Sequence, residues 1–134
     1  MRLVLALLLL LSLPAYAETK DEAAIQDVIS QQLDAFRHDD AEAAFTFASP
    51  GIQAIFVAPG FFLGMVAHAY PPVYRPQQVA FGALVSEGGV PVQKVELIGP
   101  DGSAWTALYS MEKQPDGTWK IAACRLVESH AVGS

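Results

Sequence analysis

Three prolines fall within the seven residues Tyr70-Pro71-Pro72-Val73-Tyr74-Arg75-Pro76, and no other segment constrains the fold so strongly. Proline lacks the N–H that a helix interior needs and biases the preceding residue toward extended backbone, so an extended, polyproline-like connection is expected here. The apolar residues keep different periods on its two sides. Before it, Ile25, Val28, Ile29, Leu33 and Phe36, with Gln32 among them, recur at helical spacing, and Asp27, Gln31 and Asp34 occupy the opposite face. Thr19-x-x-Glu22 has the spacing of a capping box and predicts the start of that helix. A break is expected at His38-Asp39-Asp40, with Asp39-x-x-Glu42 opening a short alanine-rich helix that carries Phe45 and Phe47. Ser49-Pro50 stops it and begins a turn over Gly51 to Phe56. Pro59 suits the first turn of a helix with Phe62, Met65, Val66 and Ala69 on one face.

After the prolines the period becomes two. Gln77 to Ser86, Val90 to Ile98, Ala104 to Glu112 and Trp119 to Glu128 read as strands. Glu87-Gly88-Gly89, Gly99-Pro100-Asp101-Gly102 and Gln114-Pro115-Asp116-Gly117 supply turn chemistry between them. Connections this short join antiparallel neighbours. The expected fold is therefore α+β, with helices over about residues 20–69 packed on one face of a curved four-stranded antiparallel meander over about residues 77–128.

The N-terminus carries a different signal. Met1-Arg2 is a short basic start, Leu3 to Leu13 is apolar apart from Ser12, and Ala15-Tyr16-Ala17 fits a small-x-small cleavage pattern. The apolar run is far shorter than the ~20 residues of a spanning helix. It reads as an export signal over residues 1–17, cleaved after Ala17, leaving a single domain at 18–134 in the periplasm or outside the cell, with no membrane span. With 14 acids against 8 bases and a formal charge of −6, the chain lacks the basic stripe that nucleic acid or anionic lipid requires. Cys124 is the only cysteine, so no internal disulfide forms. Ile121 to Val127 reads as a buried strand, which makes its thiol a packing group.

Few residues carry acid–base chemistry. His38-Asp39-Asp40 sets an imidazole beside two carboxylates, but without a second histidine at ligand spacing no metal site is expected, and no cofactor motif is present. His68 lies on a helical flank with Phe61, Gly64 and Met65 and is a candidate base, as is Asp39. Tyr70, Tyr74 and Arg75 offer aromatic rings, hydroxyl donors and a guanidinium, and with His68 they are candidates to line a ligand pocket between helices and sheet. The alternative is a structural clamp in which Tyr74 packs and Arg75 pairs with a helix carboxylate such as Asp34. In the last two strands inside/outside alternation is lost: Ala104 and Leu108 oppose Trp105, Ala107, Tyr109 and Met111, while Ala122, Cys124 and Leu126 alternate with Trp119, Ile121 and Ala123. Two apolar faces imply a covering layer, and a second copy of the chain is one candidate.

Three stretches together resemble a known family. Ala35-Phe36-Arg37-x-Asp39-Asp40-Ala41-x-Ala43-Ala44-Phe45-x-Phe47-Ala48-Ser49-Pro50, the Tyr70 to Pro76 heptad, and Pro115-Asp116-Gly117-x-Trp119-x-Ile121 look like domain of unknown function 4864. The resemblance implies an exported bacterial protein without an assigned activity. It also implies a layout similar to the nuclear-transport-factor-2-like fold, in which helices pack into the concavity of a curved sheet. That fold group includes ketosteroid isomerases, polyketide cyclases, dehydratases and binding modules, but this chain shows no inward Asp-Tyr-Asp set. The expected function is a non-catalytic module binding a small apolar ligand or a protein partner. The alternatives are a small isomerase, dehydratase or cyclase using His68, Asp39, Tyr70 or Tyr74, and a structural homodimer.

Overall fold

The computed structural model describes residues 12–129, so most of the apolar run of the expected export signal, and residues 130–134, lie outside the described residues. Five helices, α1 (Ser12–Arg37), α2 (Ala41–Thr46), α3 (Pro50–Phe56), α4 (Pro59–Ala69) and α5 (Pro71–Tyr74), precede four strands, β1 (Gln78–Glu87), β2 (Val90–Ile98), β3 (Ala104–Lys113) and β4 (Trp119–Glu128). The strands form one antiparallel sheet in the order β1-β2-β3-β4. The α+β class and the meander therefore match expectation. No single helix among the described residues is long and apolar enough to cross a membrane.

Three boundaries differ from expectation. The backbone is already helical at Ser12, the first described residue, so Thr19-x-x-Glu22 lies inside α1 and does not open it. The second capping residue is Asp40, whose carboxylate accepts from Ala43 N at 3.1 Å. Asp39 has left-handed backbone (φ 53°) and its carboxylate is engaged elsewhere. The proline segment is not extended throughout. Pro71 and Pro72 occupy the first positions of a helical turn, and the Tyr70 carbonyl accepts from Val73 N at 2.9 Å and Tyr74 N at 3.0 Å. Two adjacent prolines that would break a helix interior are admissible at its start.

The inner sheet face and α1 form the core. Ile25, Ile29, Leu33 and Phe36 of α1 are buried with Val95 and Leu97 of β2, Ala107, Tyr109 and Met111 of β3 and Ile121 of β4. Above them Phe62 of α4 gathers an aromatic cluster, with ring centroids 6.0 Å from Phe36 and 5.6 Å from both Phe45 and Phe56. The hairpin turns follow their sequence chemistry. Gly102 and Gly117 both adopt positive φ, while Asp101 and Asp116 each accept from the backbone N–H two residues on, at 3.0 and 2.9 Å. The link between α2 and α3 closes the sheet margin: Ile121 N donates to Phe47 O and Ser49 N donates to Ile121 O, both at 2.9 Å.

One bulge explains the lost alternation in β4. In β4, Tyr109 pairs with Cys124 and Ser110 with Ala123, but Met111 pairs with Ile121, leaving Ala122 as an extra residue. Ile121 and Cys124 therefore both face the helices. Apolar residues that read as a second face in β4 belong to the inner one, since one inserted residue reverses the side-chain pattern beyond it. The outer face carries Lys94, Glu96, Thr106 and Arg125 among its apolar residues, and Thr106 Oγ1 donates to Glu96 at 2.8 Å. A second bulge lies in β1 between Phe81 and Leu84. There the Gln93 side chain, fully buried, donates from Nε2 to Gly82 O and to Lys94 O, each at 2.9 Å. Replacing that amide by an apolar group orphans the bulge carbonyl. Gln93→Leu is expected to lower unfolding free energy by about 1–3 kcal/mol in urea titration, and an unchanged midpoint would show that the bulge carbonyl needs no partner.

Candidate functional site

A cavity of about 330 Å³ lies between the helices and the inner sheet face. Phe36 of α1, Ile52 and Phe56 of α3, and Phe62, Met65 and Val66 of α4 form its helical side, with Tyr70 and Val73 closing one flank. Its floor is Tyr109 of β3 and Ile121, Ala123 and Cys124 of β4, the strand segment displaced by the bulge. The composition of the wall follows from the sequence, because no Asp, Glu, Lys or Arg occurs between Ala43 and Tyr74. The helices α3 and α4, inclined at 91°, fold that uncharged stretch over the sheet. Gln32 also reaches the cavity, with one of its two amide N–H donors engaged by Ala44 O at 3.0 Å.

Tyr109 is the distinctive group. It is 1% exposed, and its hydroxyl has no hydrogen-bond partner among the described residues. Burial, reinforced by the neighbouring Cys124, pushes that hydroxyl well above the ordinary tyrosine range, so it stays a neutral donor. Cys124 is half-buried as a residue, yet burial of the thiol raises it to about 12, opposed in part by the Tyr109 hydroxyl. At neutral pH it is a protonated thiol and a poor nucleophile, consistent with packing. None of the groups lining the cavity is a carboxylate, an imidazole or a cation. Among the described residues no cluster of three or more His, Cys, Asp or Glu is placed to hold a metal.

The residues singled out from sequence divide between two places. Tyr70 lines the cavity. His68 is exposed in the last turn of α4 and does not line it. Asp39, Tyr74 and Arg75 meet one another outside it. The Tyr74 hydroxyl donates to Asp39 Oδ1 and Arg75 Nη2 donates to Asp39 Oδ2 at 3.1 Å. Arg75 Nη1 donates to Phe36 O and to Tyr74 O, and its guanidinium lies 4.0 Å from the centre of the Tyr74 ring. The arginine thus pairs with Asp39 and not with Asp34, whose neighbour is His38 at 3.7 Å. This arrangement ties the α1–α2 corner to α5.

Tyr109, Phe56, Met65 and Cys124 were not among the sequence-derived candidates. A tyrosine at an inward strand position is the one local signal that Tyr109 offers. Its missing partner depends on the shape of four converging elements.

Against known proteins, the family described as Domain of unknown function (DUF4864) matches residues 18–133, and the chain belongs to that family. No match is found among curated proteins or solved structures.

The Tyr74 hydrogen bond, followed by Arg75, lowers the Asp39 carboxyl below its ordinary value, with desolvation opposing both. A depressed folded value contributes stability above the unfolded carboxylate range, near ~3.9, and loses it as pH falls through the folded value. Asp39→Asn keeps a side chain that tolerates positive φ. The variant is expected to melt below wild type at neutral pH, with the gap closing in acid. A gap of constant size down to the acid limit would contradict the linkage.

Proposed function

We propose that this is an exported, non-catalytic module that binds a small apolar ligand in the cavity between its helices and sheet. The observation that carries the reading is the cavity itself: about 330 Å³, walled by aromatic and aliphatic side chains, with no acid–base group on its lining. That volume lies at the lower end of small-ligand pockets, which are mostly apolar with a few placed polar groups. An isomerase, dehydratase or cyclase would need a base beside the substrate. His68 and Asp39 stand outside the lining, and the lowered Asp39 carboxyl is a weak base. Export is supported by the Met1-Arg2 start, the Leu3 to Leu13 run and Ala15-Tyr16-Ala17. Helices laid over a bulged meander favour the nuclear-transport-factor-2-like reading of the fold.

A second reading, contact with another copy of the chain, is favoured by Ile55, Val57 and Phe61, which are 73%, 78% and 71% exposed around the α3–α4 junction. Sedimentation tests it: a wild-type dimer that Phe61→Glu converts to monomer is expected on this reading, and a wild-type monomer at high concentration removes it.

The binding reading is tested with 1-aminonaphthalene, a dye small enough for the space, whose emission shifts to shorter wavelength in apolar surroundings. Wild-type protein is expected to bind the dye. Met65→Trp, which places a larger ring in the half-buried cavity wall, is expected to abolish that signal while the far-UV spectrum and melting stay near wild type. Equal dye binding by the two proteins would place the dye elsewhere and sink the reading.

A further inference from the structure

We propose that the cavity selects an uncharged molecule with an apolar body and one hydrogen-bond acceptor of the carbonyl type, received by the Tyr109 hydroxyl. The proposal rests on the cavity-binding reading and adds the chemistry of the ligand. Its starting point is the orphaned donor. A buried hydroxyl without a partner is costly, and native interiors rarely leave one. The cross-strand neighbour, Cys124, lies near enough for hydroxyl and thiol to influence each other, but its sulfur is a weak acceptor and the contact falls short of hydrogen-bond geometry. The amide on the lining, Gln32, already spends one of its two N–H donors on Ala44 O.

The lining also sets what the ligand cannot be. With no Lys, Arg or His on the cavity wall, a carboxylate or phosphate would be stripped of water with no counter-charge. With no Asp or Glu, an ammonium would fare no better. A ketone, ester or amide carbonyl is neutral, and it offers an acceptor for the Tyr109 O–H. The remaining surface, Phe36, Phe56, Phe62, Met65 and Val66, suits an alkyl or ring body. At roughly 30 Å³ per water-sized group, the space holds about a dozen heavy atoms.

The test is competition against 1-aminonaphthalene with two probes of one shape: a ten-carbon methyl ketone and the isostere in which C=CH2 replaces C=O. Tyr109→Phe is expected to weaken the ketone at least roughly fivefold and to leave the alkene unchanged or tighter. A change of equal size for both probes overturns the proposal while the cavity reading stands. Failure of both probes and of the dye with wild-type protein overturns both. The wild-type complex gives a readout that does not depend on the variant's folding. The infrared carbonyl band of the bound ketone is expected at lower frequency than in an alkane solvent, and a band at the alkane position overturns the proposal.

Discussion

The sheet cannot lie flat, because β1 and β4 each carry one residue more than the strands they pair with. An inserted residue bends its strand and steepens the twist, and here the insertions fall on the two outer strands of four. The bend in β4 brings Ile121, Ala123 and Cys124 to the cavity floor, and the bend in β1 is held by the buried Gln93 amide. Backbone polarity is otherwise hard to bury. One glutamine donating to Gly82 and Lys94 carbonyls lets an irregular strand sit against an apolar interior. The bend of the β1 rim thus depends on a polar group that does not line the cavity.

The helices complete that space by a different physics. Between Ala43 and Tyr74 the chain has no ionised side chain other than what His68 can carry, so burial there meets no desolvation cost of charge. Phe62 gathers the rings of Phe36, Phe45 and Phe56, which join α1, α2 and α3 to α4 through tilted and edge contacts. Charge returns where this layer ends, at Arg75, and is at once paired with Asp39 and the Phe36 carbonyl. That pairing anchors the last helical turn before the sheet begins.

Helix-then-strand order and the hairpins were legible in the sequence, since apolar period and glycine-containing turns act within a few residues, whereas both capping boxes misplaced their caps. The bulges were not. An extra residue such as Ala122 is defined only against a partner strand, and in isolation it reads as a second apolar face. Pro71-Pro72 was read as an extended linker, but the same pair also fits a helix start, and there the Tyr70 carbonyl accepts from Val73 and Tyr74. The heptad that stood out as a candidate site splits, with Tyr70 on the cavity and Tyr74 and Arg75 in a corner clamp. Tyr109 was visible as an inward aromatic residue, but the isolation of its hydroxyl emerges only from the assembled core.

The short bridge at Ile121 has a consequence for how such chains meet one another. Along the β4 margin, Phe47 and Ser49 already occupy the backbone groups of Ile121. Along the β1 margin the ladder is interrupted between Phe81 and Leu84. A foreign extended segment needs a long, regular row of free amides and carbonyls to dock in register. Both rims are interrupted, one by the Ile121 bridge and one by the bulge, which shortens the regular row on which a second chain could template.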